Sequence, residues 1–202
     1  MASKKESSFL NMVLTLFVVA AVAALALGAV YVATKKPIAL AKQKKQQAAI
    51  KAVLPAFDSL QVMEVPDADG KDSLRLNVAY RKGKWVGVAV NTYTDKGFGG
   101  RIDAMIGFLP DGSIYNTSIL SLKETPGLGT KLDKKKSDFP DQFMGKNPAT
   151  FKLKVKKDGG DVDAITAATI SSRAFCDALQ RAYDTFEKAF AKHSSGVEKN
   201  KD

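Results

Sequence analysis

The chain has 202 residues, a formal net charge of +10, 45% hydrophobic residues, one His and one Cys. A lone cysteine excludes an intrachain disulfide, and it excludes a four-thiolate iron–sulfur cluster held by this chain alone. The charge excess is local rather than spread as a nucleic-acid-binding face. Lys35, Lys36, Lys42, Lys44, Lys45 and Lys51 supply six of the ten charges with no acidic residue among them, and Lys4, Lys5 and Glu6 add one; nucleic acid is therefore not an expected partner.

Residues 9–33 contain no charged side chain. At 1.5 Å rise per residue, about 20 apolar residues cross the ~30 Å hydrocarbon core, so this run is predicted to be a membrane anchor. A cleaved signal peptide is the alternative, because Ala24-Leu-Ala26 resembles a cleavage site, but secretory apolar cores run only about 7–15 residues. The basic run after the anchor suits anionic lipid headgroups or a solvated stalk. Counting lysines on either side of the span would by itself place the following domain in the cytoplasm. The predicted organisation is a tail over 1–8, an anchor over 9–34, a basic helical stalk over 35–57, one folded domain over 58–192 and a polar tail over 193–202.

After Pro37, the composition of 38–54 favours a helix that stops at Pro55 and acts as a spacer. β-Forming residues cluster at 61–65, 74–80 and 84–92, which read as antiparallel strands. Asp67-Ala-Asp69-Gly70-Lys-Asp72 superficially resembles a calcium loop, but its twelfth position is Val78 rather than Glu, so a turn is the better reading. Lys96-Gly97-Phe98-Gly99-Gly100 lacks the ending of a phosphate loop and reads as a bend or a place where backbone approaches a flat ligand. Pro110-Asp111-Gly112 between apolar runs at 101–109 and 113–122 signals a hairpin. Lys123 to Thr130 (KETPGLGT) then breaks regular structure, either as a ligand loop or as a connector to a short helix over 138–144.

Residues 151–155 read as a last strand. The final helix is predicted over about 170–191, with Phe175, Leu179, Ala182, Phe186 and Phe190 at three- and four-residue spacing on the face that packs on the sheet. Strands followed by a docking helix make the domain α+β. Cys176 beside that face reads as a small buried hydrophobe, and His193 in the polar tail receives no role. Directly ahead of this helix, residues 163–172 read DAITAATISS. Small and hydroxyl-bearing residues at a helix start suit an anionic phosphate, worth roughly 0.3–1 kcal/mol per charge, and Thr169 is the candidate to carry it. An ordinary Ser/Thr helix cap is the competing reading.

With these motifs in view, the chain resembles the G subunit of the Rnf ion-translocating electron-transport complex, and more broadly the FMN-binding domain shared with the C subunit of the sodium-pumping NADH:quinone reductase. The resemblance runs through the single anchor, the basic stalk, the Val53-Leu-Pro-Ala-Phe57 segment, the Asp-Gly hairpin, the ETPGLG loop and the terminal D-x-x-T-x-A-T motif. It implies that a flavin transferase joins FMN through its phosphate to the threonine of a D-x-x-[ST]-G-A-T-x-[ST] motif. The matching positions are Asp163, Thr166, Ala168, Thr169 and Ser171, with Thr169 as acceptor. Ala167 departs, standing where the family usually has Gly, and costs of order 1 kcal/mol if that position needs positive φ.

The resemblance further implies that Glu124, Thr125, Gly127, Leu128, Gly129 and Thr130 line the flavin. Ala167 and Ala168 would then leave room for phosphate and ribityl chain, Ser171 and Ser172 would bond phosphate oxygens, and Thr166 would join them as a cofactor-binding residue. It implies no catalytic acid, base or nucleophile and no metal. The expected protein is a redox subunit of a translocase complex, in a bacterial inner membrane, contacting lipids and other subunits, with its domain facing the periplasm against the lysine count. A C-type subunit of the quinone reductase and a non-redox anchored scaffold are the rival readings.

Overall fold

The structure, a computed structural model, describes residues 8–67, 70 and 72–194. Helix α1 spans Phe9–Val53, strands β1 to β5 span Ser59–Pro66, Ser73–Arg81, Lys84–Gly97, Gly100–Phe108 and Ile114–Ser121, and helix α2 spans Thr169–Ser194. Short 3-10 turns at Gly129–Leu132, Phe139–Phe143 and Lys156–Asp158 punctuate the connection between β5 and α2. The chain divides into two compact units, the first ending at Lys45 and the second beginning at Gln46.

In the first unit α1 is long and apolar enough to cross a membrane, and none of its apolar window is buried by protein. Thr15 and Thr34 turn their hydroxyls back onto the carbonyls of Asn11 (2.7 Å) and Val30 (2.8 Å), so neither hydroxyl is left as an unsatisfied donor facing hydrocarbon. Pro37 lies inside one continuous helix, which joins the predicted anchor to the predicted helix over 38–54. A proline removes a single backbone donor, and the strong helix formers on both sides carry the helix across it.

The second unit is a five-stranded antiparallel sheet whose spatial order follows the chain, β1-β2-β3-β4-β5. One face carries Leu76, Val78, Val88, Val90, Ile102, Ile106 and Phe108, and α2 closes it with Ala174, Phe175, Leu179, Ala182 and Phe186. The 3.6-residue spacing of those helix positions puts them on one face, as the sequence predicts. Two polar bonds fix the helix over β3: Thr92 Oγ1 donates to the Ala178 carbonyl at 2.9 Å, and Thr94 Oγ1 donates to Asp177 at 2.7 Å.

The opposite face is covered by the last turns of α1, where Ala49, Ile50, Val53 and Leu54 pack on Ala79, Ala89 and Met105. Residues from Gln46 onward belong to the folded unit, so the end of the helix expected over 38–54 packs on the sheet as well as leading to it. Small residues make this contact possible. A Cβ on Gly107 would stand 1.6 Å from the Val53 carbonyl oxygen, so only glycine admits the helix end. Asn116 Nδ2 donates to the Ala52 carbonyl at 2.9 Å and so satisfies one of the orphaned carbonyls of that terminus.

Pro110-Asp111-Gly112 forms the predicted hairpin, with Gly112 at φ +80 and its N–H bonded to the Leu109 carbonyl at 2.9 Å. Asp111 accepts from both the Ser113 hydroxyl and the Ser113 N–H, and those bonds hold its carboxyl below the usual range. The expected short helix at 138–144 is a 3-10 turn over Phe139–Phe143.

Residues 151–155 are not a strand. Leu153 and Val155 are buried while Lys152, Lys154 and Lys156 face solvent, which produces the alternation, but the segment makes only one isolated bridge, Val155 to Val162. A period of two reports half-burial of extended chain, and it becomes a strand only where a ladder partner is free. The calcium-like segment begins with Asp67, which is buried and ion-paired to Arg181 on α2; its Ala68, Asp69 and Lys71 lie outside the described residues, as does the side chain of His193.

Candidate functional site

Three chain segments meet at the ends of β3 and β5. The first is the turn between β3 and β4, where Gly97 pairs with Gly100. Its backbone lies against the start of the ETPGLG loop so closely that a Cβ on Gly99 would stand 1.8 Å from the Lys123 carbonyl oxygen. The second is that loop itself. Leu128 N–H and Thr130 N–H both reach the Thr125 carbonyl, and Gly127 N–H donates to Thr130 Oγ1 at 3.0 Å. These internal bonds, with Gly127 at φ +75, hold a defined shape without regular structure.

The third segment is the start of α2. Ser172 Oγ accepts from the Ile165 N–H and donates to the Ala168 carbonyl, each at 3.0 Å, which ties 165–168 onto the first turn. Ala167 sits at φ +61, in the left-handed region. The conditional expectation for this position is thus resolved: alanine stands where the backbone favours glycine, at a cost of about 1 kcal/mol. The first helical bond runs from Ser172 N–H to the Ala168 carbonyl. Among the described residues the N–H groups of Thr169, Ile170 and Ser171 find no acceptor, and they stand at the positive end of the helix macrodipole.

Glu124 joins the three segments. It is 6% exposed; Oε1 accepts from the Gly99 N–H at 3.1 Å and Oε2 accepts from the Ser171 hydroxyl at 2.6 Å. Behind the site, Arg173 grips Asp158 with two bonds of 2.7 Å, which pulls the Asp158 carboxyl down and anchors the turn at 156–158 to α2. Cys176 is buried in the helix face, and burial pushes its thiol up to about 12.

Between the segments lies a cavity of about 330 Å³ lined by Phe98, Glu124, Thr125, Leu128, Gly129, Ala167, Ala168, Thr169, Ile170 and Ser171. The expected residues Glu124, Thr125, Leu128, Gly129, Ala167, Ala168, Thr169 and Ser171 thus come together. Gly127 and Thr130 shape the loop from outside the cavity wall, and Thr166 and Asp163 face a separate open groove with Lys131 and Gln142. Asp163 pairs there with Lys156 at 2.7 Å. The Ser171 and Ser172 hydroxyls are already donated to Glu124 and to the Ala168 carbonyl. In this arrangement the donors open to an anion are the backbone N–H groups of the first turn. The Thr169 hydroxyl takes no hydrogen bond among the described residues.

Two lining residues escaped sequence reasoning. Phe98 and Ile170 are exposed and apolar, and Phe98 carries a readable signal, an aromatic residue among glycines at a place where the core cannot use it. The cavity therefore has the unbonded N–H groups of the helix start at its Thr169 end and an apolar rim at Phe98, Leu128 and Ile170. Such polarity fits an amphipathic ligand with a flat ring system at one end and a phosphate at the other.

Comparison with known proteins gives the family. The FMN-binding domain family matches residues 97–184, a range that contains every cavity-lining residue. The G subunit of the ion-translocating oxidoreductase complex of Aliivibrio fischeri (strain MJ11) is 32% identical over 193 residues, covering 90% of each chain. The chain belongs to the family of G subunits of ion-translocating oxidoreductase complexes. The G subunit from Vibrio atlanticus is 31% identical over 74% of this chain and 76% of its own, and that of Shewanella baltica is 39% identical over 57% of each. Membership of this family and α1 together make this a single-pass protein of the bacterial inner membrane.

Proposed function

We propose that the chain is the membrane-anchored flavoprotein subunit of an ion-translocating electron-transport complex, carrying FMN esterified through its phosphate to Thr169. The observation that carries this reading is the Thr169 hydroxyl, unengaged by the described residues, at a helix start whose first three N–H groups are free. The flavin supplies the capacity to accept and pass on electrons when bound. Thr169 holds the phosphate in place, and the N–H groups of Thr169, Ile170 and Ser171 stabilise its charge. Ala167 and Ala168 keep the approach to the hydroxyl narrow but open. Glu124 fixes the walls, and the ETPGLG backbone gives the ring system a rigid floor.

Covalent attachment keeps the carrier at high effective concentration where a free cofactor would diffuse away. Donor, acceptor and ion path are left to the other subunits. The domain is placed in the periplasm on the family resemblance and against the lysine count, which is a statistical bias; a C-terminal reporter active only in the cytoplasm would overturn that orientation. Attachment is tested by expressing the full chain with a flavin transferase and illuminating a denaturing gel. A fluorescent band in the wild type, absent in Thr169→Ala and retained in Thr166→Ala, is expected. A colourless wild-type band with an active transferase would refute the reading.

A further inference from the structure

Phe98 is 69% exposed, although burying a phenylalanine side chain yields roughly 1.5–3 kcal/mol. It is not a loose side chain on a mobile loop. It sits at the tip of the β3–β4 turn, whose neighbour Gly99 is bonded to Glu124 and abuts the Lys123 carbonyl. The fold thus commits three glycines and a buried carboxylate to pinning a turn that projects an aromatic ring outward. That ring lines the same cavity as Thr169, with Leu128 (38% exposed) and Ile170 (49% exposed) beside it. Nothing among the described contacts of the domain accounts for an exposed ring on a turn whose backbone is pinned in this way.

We propose that Phe98 is a flavin-positioning residue, packing its ring on one face of the isoalloxazine of the FMN held at Thr169 and shielding that face from water. This inference rests on the FMN reading above and adds to it the residue that orients the ring. Offset stacking and exclusion of water from one face fix the ring plane relative to the tether. The exposed ring of Phe98 then meets its apolar partner only when cofactor is present.

The test uses the full chain in detergent, expressed with a flavin transferase, in wild-type, Phe98→Ala, Phe98→Trp and Leu60→Trp forms. Leu60 lies near the start of β1, at the opposite end of the sheet from the β3–β4 turn. The denaturing-gel band reports attachment and so tests the FMN reading separately. With equal bands, Phe98→Ala is expected to raise iodide quenching of the native flavin fluorescence several-fold, because one ring face becomes accessible. Phe98→Trp is expected to dim native flavin emission several-fold through contact electron transfer, with Leu60→Trp unchanged. Should a variant escape modification, free FMN titrated into unmodified chains gives the same comparison. Unchanged iodide access in Phe98→Ala, or undimmed emission in Phe98→Trp, overturns the role of Phe98 while leaving the attachment intact.

Discussion

The Ser171 hydroxyl stands 2.6 Å from Glu124 Oε2, and both residues are buried. This bond and its companion from Gly99 to Oε1 span the β3–β4 turn, the ETPGLG loop and the first turn of α2. Replacing Glu124 with Ala strands a buried hydroxyl and a backbone N–H together, and should cost about 2–3 kcal/mol. Glu124→Gln keeps an acceptor and should cost less. Urea unfolding of the full chain in detergent, followed by Trp85 fluorescence, checks both.

Ala167 offers a gain rather than a loss. With φ at +61, Ala167→Gly should stabilise the domain by up to about 1 kcal/mol, reduced by glycine's greater freedom in the unfolded chain. The unfolding midpoint should rise while the flavin band on a gel persists. A fall in the midpoint would show that the methyl group contributes packing that outweighs the strain.

At Gly107 the opposite holds. A methyl group there would overlap the Val53 carbonyl, so Gly107→Ala must lift the end of α1 off the sheet. A loss on the order of 3 kcal/mol or more is expected, the scale of severe overpacking. Limited proteolysis should then cut near residues 46–57, a segment protected in the wild type.

Burial raises the Cys176 thiol from 9.0 to about 12. Between those values the unfolded chain has lost the thiol proton and the native chain retains it, so the native state binds more protons. Stability is therefore present below about pH 9 and falls as pH rises, by about 1.4 kcal/mol per pH unit from this group. Cys176→Ala should remove that share of the alkaline slope. Native protein at pH 8 should also resist a thiol reagent that labels the unfolded chain at once.

Periodicity carried the reading of the fold where a face was buried on a regular element, as for Phe175, Leu179, Ala182 and Phe186 on α2. It failed at Leu153 and Val155, because alternation records burial and not hydrogen bonding. At the site, Thr169 and the ETPGLG loop were legible as motifs. The internal commitments of Ser171, Ser172 and Glu124 were not, since a hydroxyl's partner depends on what the fold brings beside it. The second covered face of the sheet was hinted at only by Gly107, Ala79 and Ala89, which spacing alone does not distinguish from turn or filler residues.

The strands of this domain pair in chain order, so every ladder closes a short loop. The cavity instead depends on links such as Ser171 to Glu124, 47 positions apart, and Thr92 to Ala178, 86 apart. Loop-closure entropy accordingly places the meander early and the cavity late in folding. Pulse-labelled hydrogen exchange in which the amides of 172–176 gain protection as soon as those of the Asp111 hairpin would contradict that order. A hydroxyl displayed only when the last pieces have docked would make the proposed esterification of Thr169 a stamp of maturity, given to finished molecules and withheld from those still on the way.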